Sequence, residues 1–333
     1  MKISKASAGQ RPMNRVWCCT WGLIKREQQQ LEHGSEDDEC LPAKSKPKEF
    51  VITGGSDSEL KIVHISPNEE NVFPYEYRHE LPGLGIHNVA LSPDSSCIAA
   101  VGLDGNLSLI DIAAGVRLPN VTHSQVSNYW STAFGGSNDC VYAATGNGII
   151  HKFDAEIGKL QHAFDTMHSE NILGLAVSRD LTLVASTDFA GHFTLFDGNT
   201  GQIVRRRNYK QPMRRVVIDA CRRLAIAACD DKSVKLIDLP SGWLRDNLFG
   251  HDAHVMSVDA APDGQRFVSG ASDGSIKVWD LRTTKSSLAF LCGSNANLWD
   301  VAFNRLNNKI SFVGDGKGLN IYYCQGSREM MLV

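Results

Sequence analysis

The feature that most constrains this sequence is a pattern that occurs seven times. Each copy has a turn, an alternating apolar strand and a closing residue, and successive copies are 41 to 47 residues apart. Residues 271–280 show it best, because Asp273-Gly274 predicts a tight turn and Ile276 and Val278 lie on one side of the strand that follows. The copies end at His64, Asp111, Asp154, Asp197, Asp238, Asp280 and Tyr323.

A period of this length, with the dipeptides Gly250-His251 and Trp279-Asp280, is typical of a WD-repeat blade. We therefore predict an all-β fold, a seven-bladed WD-repeat β-propeller with four antiparallel strands per blade. Radial closure removes the unpaired edges that a row of sheets would otherwise expose. In the sixth blade the predicted strands cover residues 255–260, 266–270, 275–280 and 288–291.

The length of 333 residues allows two domains, but the repeats fill residues 14–324 and favour a single closed array. Residues 1–13 form an N-terminal segment and residues 325–333 a C-terminal tail. The last blade lacks an outer strand, and residues 2–8 and 327–333 both remain candidates for it. Residues 25–48 are polar, with an acidic run at 36–39, and we expect a mobile insert that is either a solvated insertion or a partner-binding one.

Composition and motifs favour a soluble intracellular protein without catalytic chemistry. The net charge of −3 gives no overall basic field for nucleic acid, and nine cysteines without a Cys-x-x-Cys pair indicate a reducing compartment. No nucleotide-binding, protease or hydrolase signature occurs, so we expect no catalytic residue, no cofactor and no metal. The one basic concentration, at residues 205–207, 214–215 and 222–223, is either a solvated face or a phosphate contact.

The repeat signature includes an internal polar network, which here is predicted to be mostly broken. His251, Asp273 and Trp279 of the sixth blade are its expected members. A Ser or Thr is expected two positions before Asp273, where Ala271 stands, and Cys229 occupies that place in the fifth blade. These residues indicate hydrogen bonding that stabilises a blade, and blade stability is expected to depend mainly on packing.

One residue near the start of each inner strand provides a candidate binding surface. Trp, Arg and Met are enriched where interfaces hold most of their binding energy. The side chains either surround the mouth of the central channel or pack between blades, because strand alternation allows both. Taken in register they are Trp17, His87, Trp130, Leu173, Arg214, Met256 and Trp299, and Tyr129 and Asn297 extend the same patch.

The tryptophan-containing strands at residues 16–22, 129–134 and 298–303, with residues 250–324, resemble the WD-repeat subunit of the superkiller (Ski) complex. The resemblance implies a non-catalytic scaffold that binds a tetratricopeptide-repeat protein and an RNA helicase. That assembly feeds cytoplasmic mRNA to the exosome for 3′-to-5′ decay. In animals the same subunit also joins the RNA polymerase II-associated factor complex in transcription elongation, which implies both cytoplasm and nucleus. The implied state is a monomeric propeller within a hetero-complex, with no direct contact to nucleic acid or membrane.

Two other classes of function stay open. A signalling β-subunit is one, although that class carries a long N-terminal coiled-coil helix and only about a dozen residues precede the first predicted strand here. A substrate receptor of a ubiquitin ligase is the other, and it usually has a separate adaptor-binding domain.

Overall fold

The computed structural model describes residues 15–24, 48–65, 76–81, 84–118, 128–283, 285–291, 297–315 and 318–324. All regular secondary structure within these ranges is β-strand, arranged in seven antiparallel sheets. The predicted all-β, seven-bladed propeller is therefore confirmed. Most of the predicted insert, the N-terminal segment and the C-terminal tail lie outside the described residues, while Lys48, which was assigned to the insert, begins the second strand.

The strands follow the chain blade by blade. Blade 1 contains β1 (Val16–Ile24), β2 (Lys48–Gly55), β3 (Glu59–Ile65) and β4 (Glu76–Glu80). Blade 2 contains β5 (Ile86–Leu91), β6 (Cys97–Gly102), β7 (Leu107–Asp111) and β8 (Val116–Arg117). Blade 3 contains β9 (Tyr129–Phe134), β10 (Cys140–Thr145), β11 (Ile149–Asp154) and β12 (Leu160–Asp165). Blade 4 contains β13 (Ile172–Val177), β14 (Leu183–Asp188), β15 (His192–Asp197) and β16 (Ile203–Asn208).

The remaining blades have the same order. Blade 5 contains β17 (Met213–Ile218), β18 (Leu224–Cys229), β19 (Ser233–Asp238) and β20 (Leu244–Phe249). Blade 6 contains β21 (Val255–Ala260), β22 (Arg266–Ala271), β23 (Ser275–Asp280) and β24 (Lys285–Leu291), so its outer strand begins earlier than predicted. Blade 7 contains β25 (Leu298–Phe303), β26 (Lys309–Gly314) and β27 (Gly318–Tyr323). Its described part is three-stranded, and both candidates for a fourth strand lie outside the described residues.

The turn that opens the third strand differs from the predicted Asp-Gly turn. In blade 6 the N–H of Gly274 donates to the carbonyl of Ala271 at 3.0 Å, so Ser272 and Asp273 are the central residues. Gly274 follows with a φ of +77°, which closes a three-residue hairpin loop. The corresponding residues of five other blades also have positive φ: Ser58, Gly105, Gly148, Gly191 and Lys232.

The ring of blades closes between blade 7 and blade 1. Inner strands of neighbouring blades are in contact all the way round, and β25 contacts β1. Asp300 Oδ2 accepts the N–H of Cys19 at 3.0 Å, and Trp21 Nε1–H donates to the carbonyl of Ala302 at 3.2 Å. Lys309 and Glu49 form a buried ion pair across the same junction. Buried bonds of this kind hold the ends of the repeat array together.

The core consists of apolar layers between neighbouring blades. Leu224 and Ile226 of blade 5, for example, belong to one buried cluster with Phe267 and Trp279 of blade 6, whose rings stack at 5.8 Å. Strand alternation supplies these layers, because each strand places every second side chain on one face of its sheet. No helix long and apolar enough to cross a membrane is found in the described ranges.

Candidate partner-binding surface

The seven residues predicted to form a ring occupy equivalent positions in the structure. Each lies between two inner-strand residues where the pairing with the second strand shifts by one; Val16 and Cys18, for instance, lie opposite Gly55 and Gly54. Each ring residue is thus the extra residue of a β-bulge, which removes it from the regular alternation of its strand. The bulges contain Trp17, His87, Trp130, Leu173, Arg214, Met256 and Trp299.

We call the face at which the inner strands begin the entry face, and the opposite face, with the turns between first and second strands, the exit face. All seven bulge residues are half-buried. Trp17 packs on the loop of the next blade, since a Cβ added at Gly85 would lie 2.6 Å from Cζ3 of Trp17. For Trp17 the two alternatives from the sequence are therefore combined: its ring packs on the neighbouring blade and keeps part of its surface in solvent.

His87 and Trp130 form a direct contact between blades 2 and 3. Their rings lie 4.5 Å apart, and His87 Nε2 lies 2.6 Å from the carbonyl oxygen of Trp130. Burial lowers the pKa of His87, so the imidazole is neutral near neutral pH and Nε2–H donates to this carbonyl. The pair fixes the position of both rings on the entry face.

Arg214 is paired within the protein. Its Nε and Nη2 donate to the two carboxylate oxygens of Asp230 at 2.5 and 2.8 Å, and His254 Nδ1 lies 2.6 Å from the Asp230 carbonyl oxygen. A bidentate pair of this kind holds the guanidinium plane in one orientation. A negative charge at position 214 would place two carboxylates together, so Arg214 is unsuitable for a simple charge-reversal test.

Trp299 and Asn297 of blade 7 share one acceptor. Trp299 Nε1–H donates to Asp315 Oδ1 at 3.0 Å, and Asn297 Nδ2–H donates to Asp315 Oδ2 at the same distance. Arg15 Nε lies 3.6 Å from Asp315 Oδ1. Asn297 is exposed and Trp299 half-buried, so this part of the entry face presents an indole edge beside polar groups.

Tyr129 was predicted to extend the patch, and the structure shows that it is buried. Only 5% of its surface is exposed, its hydroxyl lies 2.9 Å from His151 Nδ1, and its ring packs edge-on against Phe153. Tyr129 precedes the bulge at Trp130, and the regular alternation of β9 directs its side chain into the core. It stabilises blade 3 and does not extend a surface.

The entry face also exposes apolar side chains that the sequence analysis missed. Leu84 and Leu103 are joined by a backbone hydrogen bond of 2.9 Å, and both are exposed. Met167 and Phe189 are exposed on the loops of blades 3 and 4. The sequence did contain a signal for Phe189, because this residue stands in a turn where most other blades have small or acidic residues.

The polar network predicted to be broken is complete in blade 6. His251 Nδ1 lies 2.6 Å from Ser275 Oγ, and His251 Nε2 lies 2.7 Å from Ser269 Oγ. Trp279 Nε1–H donates to Ser269 Oγ at 2.8 Å. All four side chains are buried, and burial lowers the pKa of His251 to about 4, so the histidine is neutral in the folded protein at pH 7.

The prediction was wrong because it assigned the hydroxyl to position 271. Ser269 supplies it, two residues earlier on the same face of β22. Asp273 lies beside the network and orders the turn, since its carboxylate accepts the N–H groups of Ser275 at 2.7 Å and of Asp252 at 2.8 Å. The network is a structural feature of the blade.

No group of three or more His, Cys, Asp or Glu side chains in the part of the chain that the structure describes is arranged to hold a metal ion. A cavity of about 350 Å³ opens on the exit face between blades 4, 5 and 6, and Arg179, Asp180 and Arg222 are among its lining residues. Arg222 and Asp180 form an ion pair at its rim.

Comparison with known proteins defines the class. Residues 242–280 match the family model described as WD domain, G-beta repeat. The match runs from the last turn of blade 5 to the end of β23 in blade 6. With seven sheets arranged as blades, the chain is a WD-repeat protein with a seven-bladed β-propeller. This fold is generally a non-enzymatic scaffold for protein interactions, and no catalytic family is indicated.

The similar proteins are also WD-repeat proteins. The chain is 25% identical over 246 residues to WD repeat-containing protein SL1-17 of Schistosoma mansoni, and the match covers 73% of each chain. It is 24% identical over 142 residues to U3 small nucleolar RNA-associated protein 21 of Saccharomyces cerevisiae, covering 43% of this chain and 15% of that protein. It is 26% identical over 148 residues to a guanine nucleotide-binding protein subunit beta-like protein of Encephalitozoon cuniculi, covering 43% and 44%.

Proposed function

We propose that this protein is a scaffold that binds a partner through the ring of seven bulge residues on the entry face. The observation that carries the proposal is their common geometry: seven bulges in one register, each with a half-buried side chain. A β-bulge interrupts the regular pairing of a strand. Its recurrence beside the channel mouth favours a binding role for the side chains that it redirects. Three of the seven are tryptophans, which bury a large area with few rotatable bonds.

The finer proposal is that the chain acts as the WD-repeat subunit of the superkiller complex. The resemblance of the strands around Trp17, Trp130 and Trp299 supports it. Its partners would then be the tetratricopeptide-repeat protein and the RNA helicase of that complex, in exosome-mediated decay of mRNA. The same proposal includes the RNA polymerase II-associated factor complex, and hence both cytoplasm and nucleus. A signalling β-subunit-like scaffold is the second candidate, and the similarity to the Encephalitozoon cuniculi protein favours it.

The test is affinity capture of the tagged chain from cell extract, followed by mass spectrometry. Met256→Glu and Leu173→Glu place a carboxylate at two ring positions for which the structure shows no polar partner among the described residues. Leu306→Glu is the matched control, because Leu306 is an exposed leucine in a turn on the exit face. Melting temperatures of all variants report whether the fold is kept.

We expect the parent and Leu306→Glu to capture the tetratricopeptide-repeat protein and the helicase, and both ring variants to lose them. Recovery of G-protein subunits or ubiquitin-ligase adaptors in their place would contradict the finer proposal. Equal capture by folded ring variants would contradict the binding surface itself.

A further inference from the structure

Three consecutive arginines lie on the outer strand of blade 4 without an ion-pair partner in the part of the chain that the structure describes. Residues 205–207 belong to β16, and none of their guanidiniums forms an ion pair with a carboxylate of the described residues. Other arginines of the same region behave differently, since Arg214, Arg222 and Arg245 each pair with an aspartate. The rim of blade 4 therefore presents unpaired positive charge.

Main-chain carbonyls bind all three guanidiniums, and Arg206 Nη1–H donates to the carbonyl of Thr166 at 3.4 Å. Arg205 Nε–H donates to the carbonyl of Pro240 at 3.0 Å and its Nη1–H to that of Val204 at 2.7 Å. Arg207 Nη1–H donates to the carbonyl of Arg206 at 3.0 Å. These bonds orient the cations without cancelling their charge. They also occupy carbonyls of an outer strand, so the addition of another strand at this edge is disfavoured and a ligand must be recognised by side chains.

An exposed tryptophan lies beside the arginines. The guanidinium of Arg207 is 4.4 Å from the ring centre of Trp243, and 64% of Trp243 is exposed. The five other tryptophans, all within the described ranges, are buried or half-buried. Leu244, which follows Trp243, is also exposed. We call Arg205, Arg206, Arg207, Trp243 and Leu244 the basic rim patch.

The surroundings of the patch limit the kind of ligand that fits. Asp165 on β12 of blade 3 is exposed on one side, and Asp246 on β20 of blade 5 is partly exposed on the other. A nucleic acid that follows the rim beyond blade 4 would bring its phosphates close to these carboxylates. A short acidic peptide avoids this repulsion, and an apolar side chain within it finds the indole of Trp243.

We propose that the basic rim patch binds a short acidic peptide segment of a partner protein, with carboxylates on the arginines and a large apolar side chain on Trp243. This surface is on the outer strands at the circumference of the propeller, whereas the bulge residues lie on the inner strands. It would allow the scaffold to hold a second partner while the ring of bulge residues is occupied.

Fluorescence anisotropy tests the proposal with three labelled probes and the full chain. The probes are a short peptide of alternating Asp, Glu and Phe, the same peptide with Asn and Gln in place of the acids, and an oligouridine of similar length. We expect the acidic peptide to bind about tenfold more tightly than the neutral one, a difference of about 1.4 kcal/mol. Its binding should weaken as the ionic strength rises. No binding of the acidic peptide, or tighter binding of the oligouridine, overturns the proposal.

Substitutions test whether the basic rim patch is the binding site. Arg206→Ser and Trp243→Ala should each weaken binding of the acidic peptide about tenfold. Arg282→Ser is the control, because Arg282 is an exposed arginine that pairs with Asp280 outside the patch. Melting temperatures show whether each variant is folded. If folded patch variants bind like the parent, or if Arg282→Ser weakens binding equally, the patch is not the site.

Discussion

Blades 5 and 6 have the same strand order, but different chemistry holds their third strands. Blade 6 uses the neutral network of His251, two serines and Trp279. In blade 5, Lys235 is 4% exposed, and its Nζ donates to Asp231 Oδ2 at 2.5 Å and to Asn247 Oδ1 at 3.3 Å. Strand spacing and apolar alternation therefore define a blade, whereas its polar bonds are interchangeable.

The ion pair of blade 5 and the neutral network of blade 6 differ in how they respond to substitution and to pH. A buried ion pair strongly destabilises a protein when one partner is removed, because the other charge is left without compensation. A neutral network loses hydrogen bonds of smaller individual value, but its histidine becomes unfavourable when it is protonated.

The largest effect is expected in blade 5. Lys235→Met should lower the free energy of unfolding by about 3 kcal/mol, since it leaves Asp231 without its ammonium partner. Chemical denaturation or, if unfolding is irreversible, the melting temperature measures this. Lys277→Met is the matched control, because Lys277 occupies the same strand position in blade 6 and forms no ion pair among the described residues. Equal losses in the two variants would show that the ion pair of blade 5 has no special weight.

The next effect concerns pH and blade 6. The pKa of His251 falls from an ordinary 6.5 to about 4 on burial, so the stability it contributes is complete above pH 6.5 and is lost as the pH falls towards 4. Between pH 6.5 and 4, the free energy of unfolding of the parent should fall by up to about 3 kcal/mol more than that of His251→Gln.

Asp259 has the opposite effect in the same range, because burial raises its pKa to about 7 and the stability from its protonated form is lost as pH rises. The difference between the parent and His251→Gln is therefore the quantity to measure. Parallel stability curves for the two proteins between pH 6.5 and 4 would refute the role given to His251.

The smallest effect is expected at the turn before the third strand, which lies at equivalent positions in blades 5 and 6. Lys232 of blade 5 has a φ of +70°, where Gly274 of blade 6 has +77°. Lys232→Gly should stabilise the protein by about 0.5 kcal/mol, because relief of left-handed strain slightly exceeds the added entropy of the unfolded chain. Gly274→Ala should destabilise it by about 1 kcal/mol. Changes of the same sign in both variants would contradict this account of the turn.

Repetition made the fold predictable, and the same register correctly aligned the seven inner-strand residues. The sequence could not tell Ser269 from position 271, because both lie on one face of β22 and only the position of His251 distinguishes them. It also could not show that His87 contacts Trp130, since these residues come from different blades. Tyr129 was misplaced because it keeps the regular alternation of β9, while the bulge redirects only the next side chain, that of Trp130.

The proposed binding of a partner by the bulge residues of the entry face can be measured with purified proteins. The most direct measurement is the affinity of the purified chain for the tetratricopeptide-repeat protein that we propose as its partner, by isothermal titration calorimetry, with Met256→Glu and Leu306→Glu beside the parent. We predict that Met256→Glu binds about thirtyfold more weakly, a loss of about 2 kcal/mol, while Leu306→Glu binds like the parent. Parent-like affinity of a folded Met256→Glu variant, together with weak binding of Leu306→Glu, would place the interface on the exit face and contradict the claim.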